Sequence, residues 1–500
     1  MPKNPSQYIL ALDLGTTGNR AILFNHQGEI AGQSYQELTQ YYPHPGWLEH
    51  DAIEIWQDTC NIIKKVLKTT NIDITAIAAI GLTVQRETCL LWDKTTGKPL
   101  HNAIVWQDRR TSSLCHQLKT EGKSVEITQK TGLIIDPYFS ATKLTWLLEW
   151  VKANNPSVAL KNVLAGTIDA WILWNLTGGQ VHATDHSNAS RTMLMNLDTR
   201  SWDRDLMDLF GIPERIMPEI RPSLSYFGET DPQLFGAKIP ITAIFGDQQA
   251  ALFAHGCNRP GLLKCTYGTG SFLIIQAGTQ VMRSHHQLLS TVAWSTENSA
   301  YYALEGAIFT SGAAIQWLRD GLKIINNAAE TETLSRQVTD TKGVYFVPAL
   351  SGLGAPHWDM NARGAFFGIT GGVGREHLVR AVLEAIAYQV KEVVDAINLE
   401  STLKVAALKV DGGASQNDFL MQFQADALGV PIERPLILDA TAQGAAFGAG
   451  LTVGFWDDYD SLIASRIIDK IFEPGEDREQ VQANFIPWQR AVERAKNWVH

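Results

Sequence analysis

The sequence is short of cysteine, of long apolar runs and of positive charge, and each shortage closes off a class of protein. Its five cysteines (Cys60, Cys89, Cys115, Cys257 and Cys265) are odd in number and widely spaced. None stands at the short spacing of a zinc or redox motif. A disulfide framework is therefore not expected, and a reducing cytoplasm is the expected compartment. No stretch approaches the roughly 18 uncharged apolar residues of a membrane helix. The start, MPKNPSQYILALDLG, has one lysine and an apolar run of only Tyr8 to Leu12, shorter than a secretory core. The net charge of −10 argues against a nucleic-acid partner, which calls for a basic face, and no membrane insertion is expected. The phosphate loop GxxxxGK[ST] is absent, which excludes a Walker-type nucleotide site. The thirteen histidines show no metal-binding spacing such as HExxH; His285-His286 and the run His44 to His50 read as loop residues.

What remains is rich in core-forming residues. Hydrophobics at 45% and aromatics at 9% exclude a disordered chain. At roughly 150 residues per domain, 500 residues suggest two to four domains.

Tyr8 to Leu12 reads as a strand, the residues Leu14 to Asn19 as a turn, and Ala21 to Phe24 as a second strand. The pattern returns as Gly261 to Cys265, the turn Thr266 to Ser271, and Phe272 to Ile275. Gly15 and Gly268 of these two turns are 253 residues apart, and one hairpin opens each half. Two lobes of similar plan are expected, 1–256 and 257–500, parted at the break Gly256 to Gly261. Apolar residues recur at helical spacing over Glu376 to Ile397, which reads as a surface helix packed on a sheet. Ile53 to Leu67, Thr142 to Val151 and Asn417 to Leu428 read as helices too, and Ile77 to Leu82 and Val405 to Val410 as strands. Strands and helices alternate throughout, so the fold class is α/β.

Five constellations could carry chemistry. The two Gly/Thr turns could bring backbone N–H groups close to an anion, with Thr16, Thr17 and Thr269 adding hydroxyls. Each alone could equally be an ordinary hairpin; two matching turns preceded by Asp13 favour phosphate. Asp411-Gly412-Gly413 follows a strand and opens a helix, a place suited to phosphate, and Gly312 also precedes a helix. Asp247, at a strand-to-helix junction, is either an N-cap or a carboxylate projecting between lobes, where it could take a proton from a substrate hydroxyl. The adjacent Arg86 and Glu87 suit a small polyol, or form a surface ion pair of little worth. Neighbours in a strand face opposite ways, so both can reach one ligand only if the chain turns there. Trp106, Tyr138 and Phe272 taken singly are core or interface residues.

Together these motifs resemble those of the actin/hexokinase/heat-shock ATPase superfamily: Asp13 to Thr17, Tyr267 to Gly270 and Asp411 to Gly413. Within it the chain is similar to the FGGY carbohydrate kinases. Gly364 to Ile369, continuing through His377 to Glu384, resembles that family's C-terminal signature. Tyr138 to Trp146 resembles the N-terminal one, which departs at Trp150, where a polar residue is expected. Pro45 to Asp51, Gln85 to Thr88, Ile104 to Gln107, Asp185 to Met193 and Gly246 to Gln249 resemble the glycerol-phosphorylating branch. The resemblance runs from Tyr8 to the C-terminus and overturns the blander readings.

It implies two actin-like (ribonuclease H-like) lobes with an ATP and substrate cleft between them, and Mg²⁺-dependent in-line phosphoryl transfer from ATP to glycerol. By residue, it implies that Arg86, Glu87, Tyr138, Asp247 and Gln248 hold the hydroxyls while Trp106 and Phe272 wall the carbon chain. Thr16, Thr17, Gly18 and Arg20 would meet phosphates from one lobe, and Gly268 and Thr269 from the other. Gly312, Gln316, Gly413 and Asn417 would hold the nucleotide. Asp13 would organise Mg²⁺ through water, and Asp247 would be the base. An aspartate of ordinary pKa, about 3.9, is a weak base at neutral pH, tolerable where positioning and charge neutralisation do most of the work. The resemblance further implies a dimer or tetramer. A kinase for another small polyol or ketose, and a non-catalytic ATP-driven binding protein, are the rival readings. Gly18-Asn19 and Val84 depart from the branch's pattern without removing a named contact. Residues Glu229 to Lys238 stand where some relatives carry a basic loop for fructose 1,6-bisphosphate; with two acids and one lysine, that inhibition is not expected here.

Overall fold

The structure, a computed structural model, describes residues 7–400 and 403–499. Two mixed sheets organise it. The first contains β1 (Tyr8–Leu14), β2 (Gly18–Phe24), β3 (Ile30–Glu37), β4 (Ile77–Val84), β5 (Leu224–Glu229) and β6 (Pro240–Gly246), in spatial order β5-β6-β4-β1-β2-β3. The second contains β7 (Leu263–Tyr267), β8 (Ser271–Gly278), β9 (Leu289–Ser295), β10 (Ala300–Ile308), β11 (Leu408–Asp411), β12 (Ile432–Pro435) and β13 (Ile468–Phe472), in order β9-β10-β8-β7-β11-β12-β13. The two follow one plan. In each, a hairpin (β1-β2, β7-β8) is extended by an antiparallel strand. Its first strand then pairs parallel with a later one (β4, β11), which pairs parallel with the next (β6, β12). An antiparallel strand closes that edge.

The pattern of β1 explains its place. Every residue from Ile9 to Leu14 is buried, as in a strand covered on both faces. Leu10, Leu12 and Leu14 face the layer of α1 (Ala52–Thr70), where Ile55, Ile62 and Val66 lie. Ile9 and Ala11 face the opposite layer with Phe447 and Ala446. Helix α1 starts where Asp51 accepts from Ile53 N at 2.8 Å and stops at Asn71, which adopts φ 55°.

The opposite layer consists of α2 (Asp247–Ala254) and, from the second half of the chain, α6 (Ala440–Thr452). The latter is built of Ala and Gly for a steric reason. A Cβ on Gly444 would lie 1.9 Å from the Ala250 carbonyl oxygen, and one on Gly81 of β4 would lie 2.0 Å from that of Ala445. Backbone rests on backbone where the two halves cross.

Helices α3 (Gly312–Asp320), α4 (Arg375–Leu399) and α5 (Asp418–Leu428) serve the second sheet, with α7 (Arg478–Ala495) outside them. Helix α4 is not the surface helix its periodicity suggests. Most of its residues are buried, because α5 and α7 both pack on it: the Tyr388 ring meets Phe423 of α5 and its hydroxyl donates to Val481 O of α7 at 2.8 Å. Strand β11 starts at Leu408 rather than Val405, since pairing with Leu263 and Ile432 begins there. The expected break, Gly256 to Gly261, joins α2 to β7. No helix among the described residues is long and apolar enough to cross a membrane.

Candidate active site

Two adjoining cavities lie where the parallel strands end, the usual place for a ligand in such sheets. One, of about 340 Å³, is lined from both halves. The tips of both hairpins reach it, as Gly15, Thr16 and Thr17 and as Gly268, Thr269 and Gly270. Each tip is closed by a backbone bond, Gly15 N to Gly18 O at 3.0 Å and Gly268 N to Gly270 O at 2.9 Å. At the strand ends, carboxylate and hydroxyl trade places between the sheets. Asp13 of β1 lies beside Thr83 of β4, whereas Thr266 of β7 lies beside Asp411 of β11.

The geometric difficulty with Arg86 and Glu87 is resolved by a turn. Strand β4 ends at Val84, Thr88 N donates back to Arg86 O at 2.7 Å, and Glu87 takes φ 61°. Both side chains therefore face the cavity, with Trp106, Tyr138, Asp247, Gln248 and Phe272. The Trp106 ring stands edge-on to Tyr138 and Phe272, and its Nε1 donates to Thr16 Oγ1 at 2.9 Å. This fixes an aromatic wall against a hydroxyl of the first hairpin tip. Asp247 is not an N-cap: Gly246 is, and Asp247 is the first helical residue with 28% of its side chain exposed. Its Oδ1 accepts from Gln248 N at 2.7 Å and faces Arg86 Nε at 3.2 Å; its Oδ2 accepts from Gln248 Nε2 at 3.1 Å.

Asp13 is buried, and burial pushes its pKa up to about 7; Arg20, opposite it on β2, works against this, while Asp247 and Asp439 add to it. A carboxylate so placed gains from any cation that arrives.

The second cavity, of about 400 Å³, shares Gly268, Thr269 and Gln316 with the first and adds Gly312, Gly413 and Asn417. Helix α3 starts against the second hairpin, Gly312 N donating to Gly268 O at 2.9 Å. Gly412 holds φ 86°, and a Cβ there would lie 2.6 Å from Tyr267 O. The segment after β11 does not open a helix at once. A 3₁₀ turn, Gly413–Gln416, comes first, and Asn417 caps α5 by accepting from Leu420 N at 2.9 Å.

Two expected phosphate residues line neither cavity. Gly18 sits in β2 against the Tyr35 ring. Arg20 points out, paired with Asp439 at 2.6 Å and lying over Tyr35.

Behind the first cavity lies a set of charges that the sequence reading passed over. Glu305 of β10, fully buried, accepts from Arg86 Nη1 at 2.5 Å and Nη2 at 3.0 Å, and from Arg191 Nη2 at 2.9 Å. Arg191 Nε in turn donates to Glu87 Oε1 at 2.7 Å. Burial raises the pKa of both acids. The two guanidiniums overcome this at Glu305, whose pKa is lowered, but not at Glu87, whose pKa stays raised. Lys264 of β7, also buried, donates to Gln248 Oε1 and to Thr266 Oγ1. A signal existed: Lys264 and Glu305 interrupt otherwise apolar strands, and a charge inside a buried strand must be paired. Arg191 lies in Asp185 to Met193, matched as a motif but given no role.

The two parts of the chain match known domains. Residues 8–254 match the N-terminal domain of the FGGY family of carbohydrate kinases, and residues 263–453 its C-terminal domain. The chain is 64% identical to the glycerol kinase of Trichodesmium erythraeum over the whole of both chains. It is 66% identical to that of Acaryochloris marina over 98% of this chain and 99% of the relative. Among solved structures, Plasmodium falciparum glycerol kinase with ADP superposes with a TM-score of 0.88 at 36% identity, covering 98% of each chain. A ligand-bound xylulose kinase from Lactobacillus acidophilus, at 23% identity and a TM-score of 0.86, shares the fold.

Proposed function

The chain belongs to the FGGY family of carbohydrate kinases, and on that basis we propose that it transfers the terminal phosphoryl group of ATP to glycerol, giving sn-glycerol 3-phosphate. The observation that carries this reading is the shared lining of one cavity. Arg86, Glu87, Trp106, Tyr138, Asp247, Gln248 and Phe272 stand there with the tips of both hairpins.

In this reading Arg86, Glu87, Tyr138 and Gln248 orient the hydroxyls, and Trp106 and Phe272 cover the carbons. Asp247 takes the proton of the attacking hydroxyl as its oxygen bonds to phosphorus and the bond to the ADP oxygen breaks. The hairpin N–H groups and Thr16, Thr17 and Thr269 hold the phosphates in line, and Gly312, Gln316, Gly413 and Asn417 hold the nucleoside side. Such transfer depends on positioning and charge neutralisation more than on a strong base. The donor set suits Mg²⁺, since the ion commonly keeps its waters and takes one or two carboxylates plus phosphate oxygens. Asp13 would hold it through water, near Asp247, and the ion would neutralise charge developing on the phosphates. Arg20 would act on the phosphates through its field on Asp13 and by release from Asp439. The division at 256/257, an oligomer of two or four copies and a cytoplasmic setting go with the same reading.

The test is ADP release with Mg-ATP, comparing glycerol with dihydroxyacetone, erythritol, xylulose, ribulose and gluconate. A large rate on glycerol alone supports the reading. Preference for a pentulose keeps the fold and overturns the role of Arg86 and Glu87. Nucleotide hydrolysis indifferent to all six points to a binding protein.

A further inference from the structure

A third cavity, also of about 400 Å³, is separate from the two already described. Its walls come from the hairpin joining β2 and β3, from α6, and from the segments flanking β12 and β13. Ile30, Leu436, Phe447 and Ile467 make it apolar, and Gln443 and Arg466 give it a polar end. Two features of that end are unusual. Gln443 is 5% exposed, and its side-chain amide has no hydrogen-bond partner among the described residues. An unpaired amide that opens onto a cavity is free to bond a guest there. The Arg466 side chain is 7% exposed, and its facing acid, Glu433, stays 3.9 Å away. Burial lowers the Arg466 pKa despite Glu433 and Asp411. The other charged lining residue, Glu29, is exposed at the rim and bonded to Asn25 at 3.0 Å.

Two hydrogen-bonded stretches, joined by the charges of Asp411 and Lys264, lead from Arg466 to the catalytic cleft. Arg466 Nη2 donates to His255 Nδ1 at 3.2 Å, which leaves His255 Nε2 to donate to Asp411 Oδ2 at 2.6 Å. Asp411 lies beside Thr266 across the pairing of β7 and β11, and the Lys264 charge acts on its carboxylate. Lys264 Nζ donates to Thr266 Oγ1 at 2.8 Å and to Gln248 Oε1, and Gln248 Nε2 donates to Asp247 Oδ2 at 3.1 Å. Such stretches polarise along their length in a low dielectric.

We propose that this cavity binds a small amphipathic carboxylate, and that occupancy is felt at Gln248 and Asp247 through this path. A carboxylate takes a charge-assisted bond from Arg466 and satisfies the Gln443 amide, while its hydrocarbon body covers Ile30, Leu436, Phe447 and Ile467. The binding stands on this cavity alone; the coupling rests on the reading of the cleft given above.

The probe is 3-phenylpropionate, titrated calorimetrically into the full chain, with acetate and 3-phenylpropanol as controls lacking the apolar body and the charge. Saturable binding is expected with a Kd on the order of 1 mM, absent for both controls. Arg466→Gln weakens it at least tenfold. Leu436→Glu, at a residue 57% exposed and so no threat to folding, does the same by charge repulsion. The probe changes the glycerol Kd at least twofold, and glycerol changes the probe's Kd by the same factor. No saturation by about 20 mM, or binding that survives both variants, overturns the site. Binding that leaves the glycerol Kd unmoved overturns the coupling. If the chain fails to bind glycerol at all, the reading of the cleft fails and the probe titration still decides this one.

Discussion

Replacing Glu305 by Gln keeps the shape of the side chain and removes one buried charge. In the native protein the carboxylate accepts three bonds from two guanidiniums, and Glu87 supplies the other negative charge of the quartet. A glutamine oxygen can keep the shared position between Arg86 Nη2 and Arg191 Nη2. Its amide nitrogen then meets Arg86 Nη1, donor against donor, and the quartet carries an uncompensated positive charge. Breaking a buried pair in this way costs about 3–5 kcal/mol. At roughly 2–4 °C per kcal/mol for domains of this size, Tm should fall by about 6–20 °C. Arg86 also faces Asp247 at 3.2 Å and Tyr138 at 3.3 Å, so its displacement reaches the substrate side. The KM for glycerol should rise by about ten- to a hundredfold, or about 1.4–2.7 kcal/mol, while the KM for ATP stays within about twofold. The double variant Glu305→Gln/Arg191→Gln removes one charge of each sign and should recover part of the stability, with a coupling energy of about 0.5–3 kcal/mol. Thermal denaturation and steady-state ADP release measure both effects. A Tm within 2 °C of the parent (about 1 kcal/mol or less) together with an unchanged glycerol KM would refute the reasoning, and a fall in Tm alone would reduce Glu305 to a structural brace.

Three further outcomes are expected. Asp247→Asn should lower kcat by about 10²–10⁴-fold, the usual worth of general-base catalysis, with calorimetric glycerol affinity within a few-fold; retained turnover removes Asp247 from the role. Asp13 has a folded pKa near 7 against 3.8 in the unfolded chain. The folded state thus binds the proton more tightly, and stability is lost as pH rises from about 4 to about 7, by on the order of a few kcal/mol. Asp13→Asn should accordingly raise Tm at pH 8, match the parent near pH 4 and lose Mg-ATP turnover; equal melting curves at pH 8 count against burial as the cause. Gly444→Ala forces α6 off α2 and should cost about 1–3 kcal/mol, read as a lower Tm; a parental melting curve would mean that the helices part freely.

Much of the cleft is legible in the residue order because its parts are local. The two hairpins, the Gly412 turn and the Asp247 junction each fit within a few residues, and glycine or a short polar side chain marks them. Glu305, Arg191 and Lys264 were not legible as a group. The meaning of Arg191 and Glu305 is set by pairing more than a hundred positions apart, and that of Lys264 by a side chain on the helix before its strand. Only their intrusion into apolar strands or a matched motif hints at it. Helix α4 misled for a related reason: periodicity reports the face against the sheet, but not the later arrival of α5 and α7 upon it. The family resemblance sets Gly18 and Arg20 with Thr16 and Thr17 at the phosphates, whereas the start of β2 turns the Arg20 side chain outward, towards Asp439.

The Gly and Ala contact between α2 and α6 has a mechanical consequence. Most helix pairs interlock through long side chains, so relative movement must unlatch one rotamer set and engage another. Where Gly444 of α6 meets Ala250 of α2, and where Ala445 of α6 meets Gly81 of β4, the facing surfaces are peptide groups with no teeth to disengage. At these points separation is opposed by close backbone packing, while sliding meets only shallow relief. The joint is stiff against pulling apart and compliant in shear, and the mouth of the cleft lies at one end of α2. Relative travel of the two halves would therefore be delivered as displacement of Asp247 against the second hairpin, along a direction fixed by the helix crossing.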